Sequence, residues 1–153
     1  MSTSSFEVQQ RIAAPVAAVY AHLSEPASFL GLQPLLIEVT ETGRGEDAQG
    51  RPTRTFRAVE NIRLFGFLPW RNTITTRMTL SRPDERIECD VESPGGVRLR
   101  NAFVLRAEGD ASLVRDEVTI DCPRLLQGLV LGIARKAHER LLLNLKQRME
   151  EKK

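Results

Sequence analysis

The sequence predicts an α+β fold in which a strongly curved, seven-stranded antiparallel sheet is covered on one face by a long carboxy-terminal helix. Three observations carry this. Residues 35 to 122 keep a period of two, broken at short intervals by turn residues. After Pro123 the period lengthens to that of a helix and holds for about 25 residues. Ahead of both, the chain opens with one strand and a short amphipathic helix.

Each element follows from its own spacing. Phe6, Val8, Gln10 and Ile12 alternate with Glu7, Gln9 and Arg11, as in a half-buried strand. Pro15 suits a first helical turn, and Val16, Val19, Tyr20 and Leu23 then form one apolar stripe. Ser24, Glu25 and Pro26 stop that helix; Pro26 to Leu30 fit one or two further turns before Gly31. Strands are expected near 35–43, 53–63, 71–81, 85–93, 97–107 and 112–121, joined by GRGEDAQGRP, LFGFLPW, RPDE, SPGG and EGDA. Connections this short imply an antiparallel meander. In the last helix, Leu126, Val130, Ile133, Ala137, Leu141 and Leu145 share a face opposite Arg135, Glu139, Lys146 and Glu150.

The chain has 153 residues, so its folded surface should be roughly 7,800 Å² against roughly 25,000 Å² unfolded. That buries enough to form a core without staples, and residues 1–153 read as one domain. A composition 41% hydrophobic and 27% charged excludes disordered and fibrous classes. No run is long and apolar enough for a membrane span, and MSTSSFEVQQ lacks a secretory layout, so a cytoplasmic protein without stable membrane insertion is expected. Cys89 and Cys122 show no metal-binding spacing and read as buried thiols. The net charge is +2, with the last 30 residues carrying eight basic and three acidic groups. Eighteen of the 22 basic residues are arginine, but aromatics are only 5%, which argues against a nucleic-acid platform.

FEVQQRIAAPVAAVYAHLSEP resembles the opening of the helix-grip proteins, the START-like or SRPBCC superfamily, in which a strand, Ala-Pro and a Val-aromatic pair begin the first helix. VENIRLFGFLPWRNTITTRM through VRDEVTIDCP resembles its polyketide cyclase/dehydrase-like branch, and the similarity runs from about residue 5 to 148. The resemblance implies a β-α-α-β6-α helix-grip fold and a cavity between sheet and helix for hydrophobic small molecules or lipids. It implies no particular reaction, because the superfamily includes binders, carriers, cyclases, oxygenase domains and chaperone co-factors.

If the apolar side of each strand faces the helix, the inward sets can be read off directly. They are Phe56, Ala58, Glu60 and Ile62; Asn72, Ile74, Thr76, Met78 and Leu80; and Ile87, Cys89 and Val91. The last two strands add Leu99, Asn101, Phe103 and Leu105, then Val114, Asp116, Val118 and Ile120. The polar members are informative, because an unsatisfied buried amide or carboxylate costs several kcal/mol, roughly 2–7. Asp116 reads either as a desolvated general base or ligand anchor, or as a carboxylate paired with an arginine or hydroxyl, or turned outward by a bulge. Asn72, Asn101 and Thr76 read as groups that fix a ligand's polar end or as residues satisfying one another and buried water. A tight SPGG turn sets Asn101 opposite Cys89. Glu60 either lines the pocket or pairs, exposed, with Arg57 or Arg63.

His22 and His138 read as helix-surface or core-edge residues, and AHERLLLN lacks the second histidine of HExxH. GxSxG, P-loop and GxGxxG patterns are all missing, which leaves hydrolase, kinase and NAD-dependent readings unsupported. LFGFLPW, with Phe65, Phe67 and Trp70, either caps the cavity mouth, touches a membrane or partner, or folds onto the core. Arg135, Lys136, Arg140, Lys146 and Arg148 read as a solvated helix face, with Arg148 drifting toward its apolar side.

The leading expectation is a monomeric or homodimeric carrier or binder of a lipid, aromatic or polyketide-like molecule, needing no cofactor or metal. Phe56, Glu60, Phe67, Trp70, Asn72, Thr76, Met78, Cys89, Phe103, Val130, Ile133 and Ala137 would line its site. The first alternative is a cyclase or dehydratase using Asp116 as base with Asn101 or Asn72 polarising a carbonyl. The second is a protein-interaction module like the chaperone co-factors, using a sheet edge or the LFGFLPW tip.

Overall fold

The computed structural model describes residues 1–64 and 66–151. Seven strands form one antiparallel sheet in the order β1-β7-β6-β5-β4-β3-β2. They are β1 (Ser2–Ile12), β2 (Leu36–Glu46), β3 (Pro52–Leu64), β4 (Leu68–Arg82), β5 (Arg86–Ser93), β6 (Val97–Glu108) and β7 (Ala111–Cys122). Helix α1 (Val16–Leu23) and a 3-10 segment (Pro26–Phe29) lie between β1 and β2. A second 3-10 turn (Arg124–Leu126) leads into α2 (Gln127–Glu151). The accessible surface, 8344 Å², is close to what the chain length demands.

β1 and the last strand, β7, pair along their whole length, Ser2 opposite Cys122 and Ile12 opposite Ser112. Helix α2 lies nearest these two strands. Cys89 stands opposite Asn101, the register expected from SPGG. Two connections are tighter than the sequence predicts. The Gly/Asp/Glu-rich stretch at 43–52 is the end of a hairpin, because Asp47 Oδ1 accepts from the backbone N–H groups of Gln49 and Arg51, each at 2.9 Å. Gly50, at φ +78°, supplies the left-handed position that this turn needs. In LFGFLPW, Ile62 pairs with Trp70 and Leu64 with Leu68, so both strands continue into the stretch expected to be a loop. Phe65 lies outside the described residues.

The core fills the space between the sheet, α1, the first 3-10 segment and the carboxy-terminal half of α2. Val19, Leu23, Phe29, Leu32, Phe56, Met78, Phe103, Leu141, Leu142 and Leu145 pack there. A smaller cluster of Phe6, Val118, Ile120, Cys122 and Ala134 sits under the start of α2. The buried stripe of α2 is Ala134, Ala137, His138, Leu141, Leu142, Leu145 and Met149. The predicted stripe is therefore right at Ala137, Leu141 and Leu145 but out of phase at its start, where Val130 and Ile133 are only half-buried.

Arg148 is also not part of a solvated face. Its guanidinium donates to the carbonyls of Ser28 at 2.6 Å and Leu30 at 2.9 Å, and to His22 Nε2 at 3.0 Å. Asn144 Nδ2 donates to the Leu32 carbonyl at 2.8 Å. Together they tie the helix to backbone that no sheet or helix ladder satisfies.

Candidate functional site

The site grows from β7. Val114, Asp116 and Val118 alternate inward, and the Asp116 side chain is fully buried. A carboxylate there needs partners, and two elements supply them. From β6, Asn101 Nδ2 donates to Asp116 Oδ1 at 2.9 Å. From α2, His138 Nδ1 lies 2.5 Å from Asp116 Oδ2. Neither an arginine nor a bulge accounts for Asp116, and the alternatives that placed it in a surface pair or turned it outward are set aside. His138 is likewise no surface residue: it is 9% exposed and stacks edge-on with Phe6, ring centroids 5.9 Å apart.

Burial alone would push the His138 pKa down, but the charge of Asp116, its hydrogen bond and the more distant Glu60 outweigh this and hold it above its ordinary 6.5. With Nδ1 committed to Asp116, Nε2 is the ring nitrogen left without a partner among the described residues. A neutral imidazole held this way carries its proton on Nδ1 and a lone pair on Nε2.

His138 lines a cavity of about 90 Å³ between sheet and helix, which Leu141 also lines from α2. Its remaining walls are mostly apolar. Of the expected residues, Phe56, Glu60, Thr76, Cys89, Asn101 and Phe103 line it. Phe29, Gln33 and Leu36 come from the chain leading into β2, and Ala58, Ile74, Val91 and Leu99 from the strands. Glu60 faces inward with no arginine at ion-pair distance among the described residues: Gln33 Nε2 donates to it at 2.8 Å and Asn72 Nδ2 at 3.1 Å. Asn72 also donates to Ser93 Oγ at 2.8 Å, so it supports Glu60 rather than lining the cavity. Burial, then the charge of Asp116, pushes the Cys89 thiol pKa far up, leaving it inert.

Seven expected lining residues are not in the wall, and Asn72, held one layer back, is joined by Met78, which is sealed into the core. Val130 packs on the cluster below the start of α2, and Ile133 and Ala137, although Ala137 adjoins His138, are not among the residues lining the cavity. Phe67 and Trp70, on the hairpin that continued β3–β4 pairing extends, are 73% and 42% exposed and are not among the residues lining the cavity. Sequence reasoning missed His138 and Gln33. The signal for His138 was there: it falls at i+4 from Ala134 and i−3 from Leu141, both buried, and a buried carboxylate on the facing strand requires a donor.

A larger open depression of about 570 Å³ lies on the opposite face of the sheet. Its arginines and acids alternate across neighbouring strands: Asp90 stands opposite Arg77 and Arg100 and forms its ion pair with Arg98 at 2.6 Å. Among the described residues, no group of three or more His, Cys, Asp or Glu side chains is placed to hold a metal ion, and no helix is long and apolar enough to cross a membrane.

Residues 3–150 match the sequence model of the family described as polyketide cyclase / dehydrase and lipid transport. Among curated proteins, none matches the sequence significantly. Solved structures share the fold at low identity. The protein TTHA0849 from Thermus thermophilus superposes with a TM-score of 0.77 at 17% identity, covering 97% of this chain and 98% of its own. A START superfamily protein from Mycobacterium smegmatis gives 0.77 at 15%, covering 97% and 99%. The Zhui aromatase/cyclase from Streptomyces gives 0.79 at 14%, covering 97% and 94%.

Proposed function

As the chain belongs to the polyketide cyclase/dehydrase and lipid transport family, we propose that residues 1–153 act as one domain binding a hydrophobic small molecule through a single polar group, in the cavity between sheet and α2. One observation carries the reading: the buried Asp116–His138 pair, with Asn101, sits at the wall of an otherwise apolar cavity and leaves His138 Nε2 unpartnered among the described residues. An apolar pocket with a few convergent polar groups is the usual form of a small-molecule site. The cavity's roughly 90 Å³ is well below the about 300–1,000 Å³ of sites that enclose a drug-sized ligand. A larger guest therefore requires the Phe29, Phe56 and Phe103 rings, stacked and tilted at 6.1–6.4 Å, to part.

The test is a titration of the protein, labelled at the histidine ring nitrogens, with medium-chain fatty acids and polycyclic ketones, alongside native mass spectrometry of the protein as purified. Binding should move the His138 Nε2 resonance saturably at one-to-one stoichiometry, and His138→Ala should weaken it. A saturating ligand that leaves His138 unmoved overturns the reading.

The unpartnered Nε2 also favours a second reading, a dehydratase or cyclase-type reaction at the same site. His138, rather than Asp116, is then the acid–base group. Nε2 accepts the proton on the carbon beside a carbonyl, Asp116 holds the resulting imidazolium, and the same proton returns to a departing β-hydroxyl, which leaves as water. Turnover of a β-hydroxy ketone with loss of water, abolished in His138→Ala, separates this reading from simple carriage.

A further inference from the structure

The end of the sheet from which the β3–β4 hairpin projects has a composition the cavity does not use. β4 meets β5 only from Thr75 onward and β2 meets β3 no further than Glu60, so Leu68 to Arg71 with their β3 partners Asn61 to Leu64 form a two-stranded ribbon beyond the rest of the sheet. The β5–β6 turn, Pro123 and the second 3-10 turn lie at this same end, because Ser93 pairs with Val97 and Arg98 with Asp121. A side chain added at Gly96 would come within 3.9 Å of Pro123. Among the described residues, five of the nine exposed large apolar side chains are here: Phe67, Leu68, Trp70, Leu125 and Leu126. Leu125 is 99% exposed.

In the projecting hairpin and turns the charge is of one sign, the acids flanking the turns, Glu92 and Asp121, both standing opposite Arg98 across the strands. Residues 61–74, 94–96 and 123–127 contain Arg63, Arg71 and Arg124 and no acid. All three arginines are exposed, and none forms an ion pair among the described residues. A protein partner's apolar patch would match the greasy residues but not the unopposed charge. An anionic bilayer matches both, with acyl chains for Phe67, Leu68, Trp70 and Leu125 and phosphates for the arginines. Tryptophan and arginine are also the residues suited to the headgroup layer.

We propose that this end is a peripheral docking surface for anionic membranes, in which the hairpin tip and the turn before α2 dip into the headgroup region while the sheet stays in water. The inference goes beyond the cavity's function and holds whether the cavity carries or converts its ligand.

Vesicles of phosphatidylcholine alone and of phosphatidylcholine with phosphatidylglycerol test it through the emission of Trp70, the only tryptophan. The anionic vesicles should shift the emission to the blue, brominated lipids should quench it, and added salt should reverse both. Arg63→Gln with Arg71→Gln should weaken partitioning by about tenfold or more, and Phe67→Ser with Leu125→Ser by about tenfold or more. These side chains are exposed, so circular dichroism should confirm that every variant is folded. Equal binding to both vesicles, no binding, or binding unaffected by the substitutions overturns the proposal. It is equally overturned if Phe67→Ser converts a dimer to a monomer while vesicles leave Trp70 unchanged, since the surface then serves a second copy.

Discussion

His138 Nδ1 on α2 and Asp116 Oδ2 on β7 meet at 2.5 Å inside the protein, the point at which helix and sheet share an ionisable contact. This pair gives the protein a pH-dependent contribution to stability near neutrality, opposite in sign to that of the carboxylates Glu41, Asp47 and Asp90, whose pKa values are lowered by arginine or backbone partners. Because the folded His138 pKa lies above 6.5, its stabilising contribution is fully present below about pH 6.5 and is lost as pH rises through the folded value. Urea unfolding should give a stability that falls with pH in that window. His138→Gln should remove the slope.

Asp116→Asn should keep the fold while exchanging the histidine tautomer. An amide in that place can still accept from Asn101, but its NH2 faces Nδ1, which must then accept and send the proton to Nε2. Loss of the charged partner should cost about 1–3 kcal/mol and lower the His138 titration midpoint, both measurable by urea unfolding and nitrogen NMR. Any activity needing a lone pair at Nε2 should vanish, whereas binding of a neutral apolar ligand should persist.

Ala58 is sealed yet faces the cavity, so Ala58→Leu fills space that already exists. Stability should change by less than about 1.5 kcal/mol, while ligand affinity should collapse. Calorimetry reads both effects on the same sample.

Gly31→Ala should be destabilising for two reasons. Its φ is +84°, a conformation that costs other residues about 1–2 kcal/mol. Its new Cβ would also stand 2.7 Å from Arg148 Nη2, displacing the group that holds the Leu30 carbonyl. Combined with Arg148→Met, the two losses should sum to less than their separate values, as expected for residues sharing one contact.

Native protein should resist thiol reagents at both Cys89 and Cys122, which are buried, and react fully once unfolded. Cys89 lines the cavity, so any slow labelling confined to it under native conditions measures how often the cavity opens. A bound guest should slow that labelling.

Much of this was legible in the amino-acid order, for physical reasons. Strand identity and the inward position of Asp116 follow from a strict period of two, and the Cys89–Asn101 register follows from a turn whose length admits little else. The phase of α2 was harder to read. Its apolar residues extend around more of the circumference than the core uses, so Val130 and Ile133 drew the stripe away from His138. A histidine on a helix reads as surface until a buried carboxylate opposite it is known, and that partner is 22 positions away. The reach of the β3–β4 pairing also escaped, because Gly66 and Pro69 signal a loop locally while cross-strand pairing sustains the ribbon around them.

The union of the first strand with the last sets an order of events during synthesis. Thr3 and Asp121 are 118 positions apart, so β1 leaves the ribosome long before anything it can pair with exists. Closing so long a loop adds only slowly to the entropic cost, but such distant pairing is slow to find. Until β7 arrives, Phe6 and Ile12 have no core to enter. Their neighbours Glu7, Gln9 and Arg11, which face water in the finished sheet, are the groups that keep this waiting strand hydrated and apart from others like it.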